Sequence, residues 1–361
     1  MGSPRLLEER VQNHRMPRRT RSSRRGKRSG AAGVLFTLFF AALIAAGAGA
    51  WLLLVPFGPT TQTLVLIAPG SSTMRIGRQL EQAGIIRSRY AFDLLRLLRR
   101  GTLRAGEYRF DHPASAHEVY SRIVRGDVYT VALTVPEGAN VFDIATRVQQ
   151  AGLGSRQGFL DAVISQTPLI ADLDPHAKSL EGYLFPDTYK FSPPASPQLI
   201  VETMVRRFRN AAQKLGLAGN THDVVTLASL VERETAVPSE RPLVASVFTN
   251  RLARNMPLMS DPAIIYGLEL EGRWRGTIYK SDLASNTAYN DYLHTGLPPG
   301  PIANPGMLSL QAAMHPAQTD YLYFVAADDN PQGHSLFSAT LDEQVKNVAA
   351  YRKAKKRAGE Q

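Results

Sequence analysis

The chain has 361 residues, no cysteine and a formal net charge of +11, with 44% hydrophobic and 20% charged residues. This composition is typical of a globular protein, and the length is sufficient for two folded units. The absence of cysteine excludes disulfides, thiol nucleophiles and zinc sites built on thiolates.

The positive charge is concentrated at the two ends of the chain. Residues 1–30 have a net charge of +8 and residues 351–361 of +4, which leaves −1 for the rest. A nearly neutral body argues against a nucleic-acid partner, so we predict none. We interpret 1–30 as a basic cytoplasmic tail and 351–361 as a second basic tail.

Residues 31–55 contain no charged side chain. As a helix they would extend about 37 Å, which is enough to cross a hydrocarbon core of about 30 Å. The basic residues before this segment predict a single-pass anchor in the inner (cytoplasmic) membrane, with a cytoplasmic N-terminus and an extracytoplasmic chain after about residue 56. A cleaved signal peptide is the alternative, since the residues at 48–50 are small. However, the apolar run exceeds the usual signal core.

A short pattern occurs twice after the apolar segment. Each copy has a strand pattern, a Pro/Gly turn, a helix pattern with a closing glycine, and a second helix pattern. Gly70 and Gly84 are fourteen residues apart in the first copy, and so are Gly138 and Gly152 in the second. A purely structural duplication and a small carbohydrate-binding module of the βααβ type explain this repeat equally well.

The other segments mix strand and helix patterns. The predicted elements are a strand at 101–108, helices at 118–126, 200–215, 223–235 and 341–356, and a hairpin with strands at 321–327 and 335–338 around the turn 328–334. Strands and helices do not alternate strictly, so we predict an α+β fold.

The sequence lacks the motifs of several kinds of catalysis. It contains no Gly-x-Ser-x-Gly elbow, no Ser-x-x-Lys pair, no His-Glu-x-x-His helix and no Walker loop. Its eight histidines are scattered along the chain. We therefore predict neither a metal ion nor a cofactor.

The helix predicted at 223–235 carries the most promising carboxylates. Glu232 projects beside Val225 and Ala228, at one border of the apolar surface of the helix. Glu234 projects about 160° away, so the two cannot form a carboxylate dyad on this helix. Because apolar neighbours raise the pKa of a glutamic acid, Glu232 is a candidate general acid, although such residues are more often simply solvated.

A series of motifs in the second half of the chain occurs together in one known family. In chain order they are LEGYLFPDTY at 180–189, ASLVERET at 228–235, SDPAIIYG at 260–267, TAYN at 287–290, TGLPPGPI at 295–302 and YLYFV at 321–325. They resemble the signature of the YceG-like family, the endolytic murein transglycosylases. The resemblance covers roughly residues 30–350.

The resemblance implies both a layout and an activity. The layout is a single N-terminal transmembrane helix, a small LysM-like βααβ subdomain at 62–128, and a larger mixed α+β catalytic domain at 129–350. The activity is non-hydrolytic cleavage of the MurNAc–GlcNAc bond in nascent peptidoglycan glycan strands, which limits strand length and leaves 1,6-anhydro-muramic ends. Peptidoglycan synthases are possible partners of such an enzyme.

The family's catalytic glutamate matches Glu232. One carboxylate suffices for this reaction, because the attacking 6-hydroxyl belongs to the muramic acid itself. Weaker candidates for lining the glycan groove are Ser229, Glu240, Arg241, Asn250, Asp261, Tyr266, Tyr289 and Asn290. The alternative from another class is a non-catalytic peptidoglycan-binding scaffold protein of the cell wall.

Overall fold

A computed structural model describes residues 28–327 and 333–358. The chain divides into two units, Met1–Asp127 and Val128–Gln361. The described elements of the first unit are α1 (Arg28–Leu54), β1 (Thr63–Ile67), α2 (Thr73–Gln82), α3 (Arg89–Arg99), β2 (Gly106–Phe110) and α4 (Ala116–Arg125).

The second unit is larger and mainly helical. Its described elements are β3 (Val131–Val135), α5 (Val141–Gln150), α6 (Arg156–Ser165), β4 (Asp187–Phe191), α7 (Pro197–Leu215), α8 (Thr221–Glu234), α9 (Arg241–Ala253), α10 (Asp261–Leu270), α11 (Lys280–Leu283), α12 (Met307–Met314), β5 (Tyr323–Ala326), β6 (Ser335–Ser338) and α13 (Leu341–Ala358). Helices and short antiparallel strand pairs are mixed along the described residues, which confirms the predicted α+β class.

Helix α1 coincides with the predicted apolar segment. Its part Ala32–Leu54 is long and apolar enough to cross a membrane, and a signal sequence near an N-terminus meets the same criteria. Arg87 fixes the end of α1 to the rest of the first unit. The guanidinium of Arg87 lies 4.2 Å from the centre of the Trp51 ring and donates to the Val55 carbonyl oxygen at 2.9 Å.

The predicted internal repeat is confirmed. In the first unit β1, α2, α3 and β2 follow one another, and β1 pairs antiparallel with β2. In the second unit β3, α5, α6 and β4 do the same, and β3 pairs antiparallel with β4. The turn glycines Gly70 and Gly138 have φ values of 76° and 75°, and the closing glycines Gly84 and Gly152 have 68° and 67°. These left-handed values explain why both copies use glycine there.

Several boundaries differ from the prediction. The strand predicted at 101–108 lies at Gly106–Phe110, because α3 ends in a left-handed cap at Arg100 and the chain needs residues 101–105 to return to β1. The predicted hairpin is confirmed by β5 and β6, which pair antiparallel, while 328–332 lie outside the described residues.

Helix α8 occupies the centre of the second unit. It contacts α9, α10 and α12, and Val225, Ala228, Leu230 and Val231 on it are completely buried. Helices α9 and α12 were not predicted, because they are buried on several sides and lack a clear apolar stripe. This packing brings the C-terminal end of α8 against the beginnings of α9 and α12.

Candidate active site

Glu232 lies in the last turn of α8, where three elements meet. Its Oε1 accepts a hydrogen bond from Nη2 of Arg241 at 2.8 Å, and Arg241 is the first residue of α9. Its Oε2 accepts one from the backbone N–H of Gly306 at 2.8 Å, directly before α12. Only 4% of the Glu232 side chain is exposed. The carboxyl group is therefore fixed in one orientation by two donors.

A second carboxylate shares the same arginine. Nη2 of Arg241 also donates to Oε2 of Glu137 at 3.2 Å, and Glu137 lies in the loop between β3 and α5. The Glu137 side chain is 48% exposed, against 7% for Arg241. It packs over Gly306 so closely that a Cβ at residue 306 would lie 1.8 Å from Oε1 of Glu137. We call Glu137, Arg241 and Glu232 the carboxylate–arginine trio.

Glu137 was missed by the sequence analysis. It lies in the turn of the second repeat copy, where the equivalent residue of the first copy is Pro69. An acidic side chain that replaces proline in an otherwise matching turn was the available signal.

The surroundings of Glu232 favour its protonated form. Burial raises the pKa of Glu232 above its ordinary value, and the negative charge of Glu137 adds to the rise. The Gly306 N–H and the Arg241 guanidinium lower it, because both stabilise the carboxylate. The pKa remains raised, as a general acid near neutral pH requires.

Glu234 faces another part of the unit. Its Oε1 accepts a hydrogen bond from the Ser260 hydroxyl at 2.6 Å, and burial raises its pKa to about 7. Glu232 and Glu234 therefore bind different partners on different elements. This separation confirms that they form no dyad.

Three of the weaker candidates bind the protein's own backbone. The Ser229 hydroxyl donates to the carbonyl oxygen of Thr226 and accepts from the N–H of Ile302, and Ser229 has no exposed surface. The Asn250 amide donates to two carbonyl oxygens in the segment before β5. The Asn290 amide donates to the carbonyl oxygens of Leu283, at the end of α11, and of Ser285, and Asn290 is completely buried. Completely buried Ser229 and Asn290 offer no surface to a ligand.

Two other candidates form contacts between elements. Buried Glu240 accepts hydrogen bonds from the N–H of Ser335 at 2.8 Å, and its Oε1 lies 3.1 Å from Nδ1 of His334, so it fixes the start of β6. Exposed Asp261 accepts a hydrogen bond from the Tyr292 hydroxyl at 2.7 Å. Of the eight weaker candidates, Arg241 is the one that is hydrogen-bonded to Glu232.

Tyr266 and Tyr289 lie edge to face, 5.1 Å apart, in the wall of a cavity of about 560 Å³. Glu181 also lines this cavity, whereas the carboxylate–arginine trio does not. Oε2 of Glu181 accepts from the Val141 N–H and Oε1 from the Asn304 side chain, each at 2.9 Å. Burial raises the pKa of Glu181 to about 8. The cavity is therefore a feature separate from the trio.

Within residues 28–327 and 333–358, no three His, Cys, Asp or Glu side chains are placed to hold a metal ion. A buried glutamic acid with a raised pKa, held by fixed donors, is typical of enzymes that cleave glycosidic bonds by acid catalysis. The model of the YceG-like family matches residues 65–350. The chain belongs to the YceG-like family.

Known proteins are similar over most of the chain. A protein of Bacillus subtilis (strain 168) named endolytic murein transglycosylase is 32% identical over 312 residues, which cover 81% of this chain and 85% of the relative. A protein of the same name from Streptococcus pneumoniae (strain D39) is 29% identical over 79% of this chain, which spans 57% of that longer relative. A crystal structure of a YceG-like protein from Listeria monocytogenes has a TM-score of 0.52 and 29% identity, and the match covers 80% of this chain and 99% of that one.

Proposed function

We propose that this chain is an endolytic murein transglycosylase that cleaves MurNAc–GlcNAc bonds in nascent peptidoglycan strands, with Glu232 as acid and base. The observation that carries the assignment of Glu232 is its fixed, buried carboxyl group with a raised pKa. The family and the names of the relatives supply the substrate and the type of reaction.

The reaction needs one proton donor that later becomes a proton acceptor. Protonated Glu232 gives its proton to the glycosidic oxygen as the bond from that oxygen to the muramic C1 breaks. The 6-hydroxyl oxygen of the same muramic acid then bonds to C1, and the Glu232 carboxylate takes the hydroxyl proton. The product is a 1,6-anhydro ring, the enzyme regains its starting state, and no water is consumed. Attack within one ring has a large proximity advantage.

The two donors on Glu232 support the middle of this cycle. When Glu232 has lost its proton, the Gly306 N–H and the Arg241 guanidinium stabilise the carboxylate through short hydrogen bonds. Of the three side chains in the trio, that of Glu137 is half exposed, whereas those of Arg241 and Glu232 are buried. We therefore place the approach of the glycan on the Glu137 side.

The test uses the full chain in detergent with purified glycan strands. We expect 1,6-anhydro ends by mass spectrometry, and a loss of about 10²-fold or more in rate for Glu232→Gln. Full activity of a folded Glu232→Gln variant would remove the assignment of Glu232. If activity were lost in Glu234→Gln but not in Glu232→Gln, the catalytic role would be assigned to Glu234 instead. Reducing ends would indicate hydrolysis, and no cleavage by intact protein would favour a scaffold that only binds peptidoglycan.

We also propose that α1 is a retained single-pass anchor with its N-terminus in the cytoplasm. The support is its length, its apolar composition and the basic residues that precede it. The chain after about residue 56 then lies outside the membrane, where peptidoglycan and its synthases are the expected partners. Because the chain has no cysteine, single cysteines can report the orientation in inverted vesicles through membrane-impermeant labels. A cysteine in 1–27 that reacts only from the extracytoplasmic side would contradict the proposal.

The segment 62–128 is, in our proposal, a LysM-like module that binds or positions glycan. The supporting observation is its β1-α2-α3-β2 order with antiparallel strands. Deletion of this segment from the full chain should weaken binding to insoluble peptidoglycan in a sedimentation assay. Equal binding by the deletion variant would favour a purely structural duplication.

A further inference from the structure

One face of α3 exposes a continuous apolar stripe. Tyr90, Leu94, Leu97 and Leu98 are 67%, 43%, 69% and 68% exposed, and their spacing of i, i+4, i+7 and i+8 places them on one side of the helix. The opposite side is packed into the first unit through buried residues such as Phe92. We call these four exposed residues the α3 face. Apolar side chains in such a stripe indicate an interaction surface rather than random exposure.

The α3 face lies close to the end of the apolar helix. Arg87, two residues before α3, stacks on Trp51 and donates to carbonyl oxygens of Val55 and Pro56. Helix α3 itself contacts α1. If α1 crosses a membrane, these contacts hold α3 at the level where the membrane surface begins.

The charges on α3 suit a surface of anionic lipid. The helix and its cap carry Arg89, Arg96, Arg99 and Arg100, with Asp93 as the acidic residue in the same stretch. Basic side chains beside an apolar stripe are the composition of helices that lie in a membrane interface. A second protein as occupant would not need this net positive charge.

We propose that the α3 face rests on the outer surface of the membrane, with its apolar stripe among the acyl chains and its arginines on anionic headgroups. This inference rests on the proposed anchor α1. It would hold the part of the first unit that follows α1 close to the bilayer, so that the chain acts on strands near the membrane where they are made.

The test uses the full chain reconstituted in vesicles of phosphatidylglycerol, with a single cysteine and an environment-sensitive fluorophore. We expect the label at Leu97→Cys to shift its emission to shorter wavelength and to be quenched by nitroxide lipids. A label at Gln82→Cys, exposed on α2, is the matched control and should remain in water. Vesicles of phosphatidylcholine should give a smaller shift at Leu97→Cys, because the arginines then lack anionic partners.

A label at Leu97→Cys that stays in water while one at Ile44→Cys on α1 is quenched by lipid would overturn this inference alone. Failure of both labels to enter lipid would overturn the anchor proposal as well. If the label at Leu97→Cys left water as the protein concentration rose, whether or not lipid was present, the α3 face would instead be assigned to contact with a second copy of the chain.

An independent observation concerns the carboxylate–arginine trio. An arginine beside a general acid opposes the proton-donating step, because its positive charge favours the ionised acid. Arg241 is 7% exposed and donates through Nη2 to both Glu232 and Glu137. The other polar groups near Glu232 are the Gly306 N–H and the Ser309 hydroxyl of α12. On its own helix, Arg233 donates to the Gly138 carbonyl oxygen.

The formal charges in the trio explain how an acid can persist there. With Glu137 ionised, Arg241 already has a counter-ion, so a protonated Glu232 leaves the trio neutral. Without Glu137, an ionised Glu232 would be the partner that neutralises buried Arg241. We propose that Glu137 is a positioning residue that serves as the counter-ion of Arg241 and so lets Glu232 hold the proton it delivers. This rests on the proposed role of Glu232.

The decisive variant is Glu137→Gln in the full chain. We expect the alkaline limb of its pH–rate profile to move down by about one pH unit, so that activity above that limb falls about tenfold. Glu137→Asp should restore most of the profile because it keeps the charge. Glu202→Gln, on the exposed side of α7, should leave the profile unchanged.

The titration of the Glu232 carboxyl can be measured independently of enzyme activity, by ¹³C NMR of protein labelled at glutamate. The spectrum of Glu232→Gln identifies the Glu232 signal. An unchanged Glu232 titration in Glu137→Gln overturns the inference. Loss of activity at every pH without a shift would also overturn it, since Glu137 would then act on substrate directly. Full activity of Glu232→Gln would instead refute the proposed function.

Discussion

Asn304 joins three segments of the second unit next to the carboxylate–arginine trio. Its side-chain oxygen accepts from the Leu184 N–H at 2.8 Å, and its amide nitrogen donates to the Ala139 carbonyl oxygen and to Oε1 of Glu181, each at 2.9 Å. Asn304 is completely buried. Its backbone carbonyl also accepts from the N–H of Gly138, directly after Glu137. We predict that Asn304→Ala destabilises the second unit strongly.

The size of the effect follows from the groups left without partners. In the variant, the Ala139 carbonyl oxygen still accepts a hydrogen bond from the backbone N–H of residue 304. The Leu184 N–H and Oε1 of Glu181, in contrast, lose the hydrogen bonds that the Asn304 side chain provides. A buried polar group without a partner costs about 1–3 kcal/mol, so two such groups give a loss of about 3 kcal/mol. For a unit of this size, that corresponds to a decrease of about 6–12 °C in Tm.

The assay is thermal unfolding of the full chain, combined with hydrogen exchange at the Leu184 amide. We expect the decrease in Tm and much faster exchange of that amide in Asn304→Ala. Asn210→Ala, exposed on α7, is the control and should unfold like the parent chain. A decrease below about 2 °C, or an unchanged exchange rate at Leu184, would show that these hydrogen bonds do not hold the unit together.

Two further predictions follow from the same region. Gly306→Ala should change stability by less than about 1 kcal/mol, because the half-exposed Glu137 side chain can move away from the new Cβ, yet its pH–rate profile should shift like that of Glu137→Gln. An unshifted pH–rate profile in Gly306→Ala would contradict this prediction, because it would mean that Glu137 stays beside Arg241 despite the new Cβ. The second concerns Glu181, whose pKa is raised from 4.5 to about 8. Its contribution to stability is complete below pH 4.5 and is lost as the pH rises through about 8, so denaturant unfolding should show stability falling over that range in the parent chain and less in Glu181→Gln. An equal slope in both proteins would contradict this role.

Local patterns made much of the fold predictable. The repeat was visible because its turns need left-handed glycines at fixed spacing, and α8 was visible because one side of it is apolar. Helices α9 and α12 were missed because burial on several sides removes the alternation of polar and apolar residues. Such helices depend on their neighbours more than on their own pattern.

Of the carboxylate–arginine trio, Glu232 and Arg241 were candidates from the sequence, whereas Glu137 was missed. Glu137 lies 95 residues before Glu232 in the chain, and only the folding of the β3–α5 loop onto Arg241 brings them together. Ser229 and Asn290 have the side chains that a sugar site would need, but in the fold they satisfy backbone groups. A sequence shows which polar groups are available, and packing decides which of them bind the protein itself.

A raised pKa alone does not select Glu232 from the other buried carboxyl groups. Glu181 has a pKa of about 8 and borders a cavity, so it would rank first by those two criteria. Its hydrogen-bonding partners, which are the Val141 N–H, the Asn304 amide and the Tyr266 hydroxyl, are neutral, and its ionised form remains unfavourable at neutral pH. A residue that acts as acid and then as base must reach both states in every turnover. At Glu232, Arg241 stabilises the ionised state while burial and Glu137 stabilise the protonated one, and this opposition suits it to both steps of the proposed reaction.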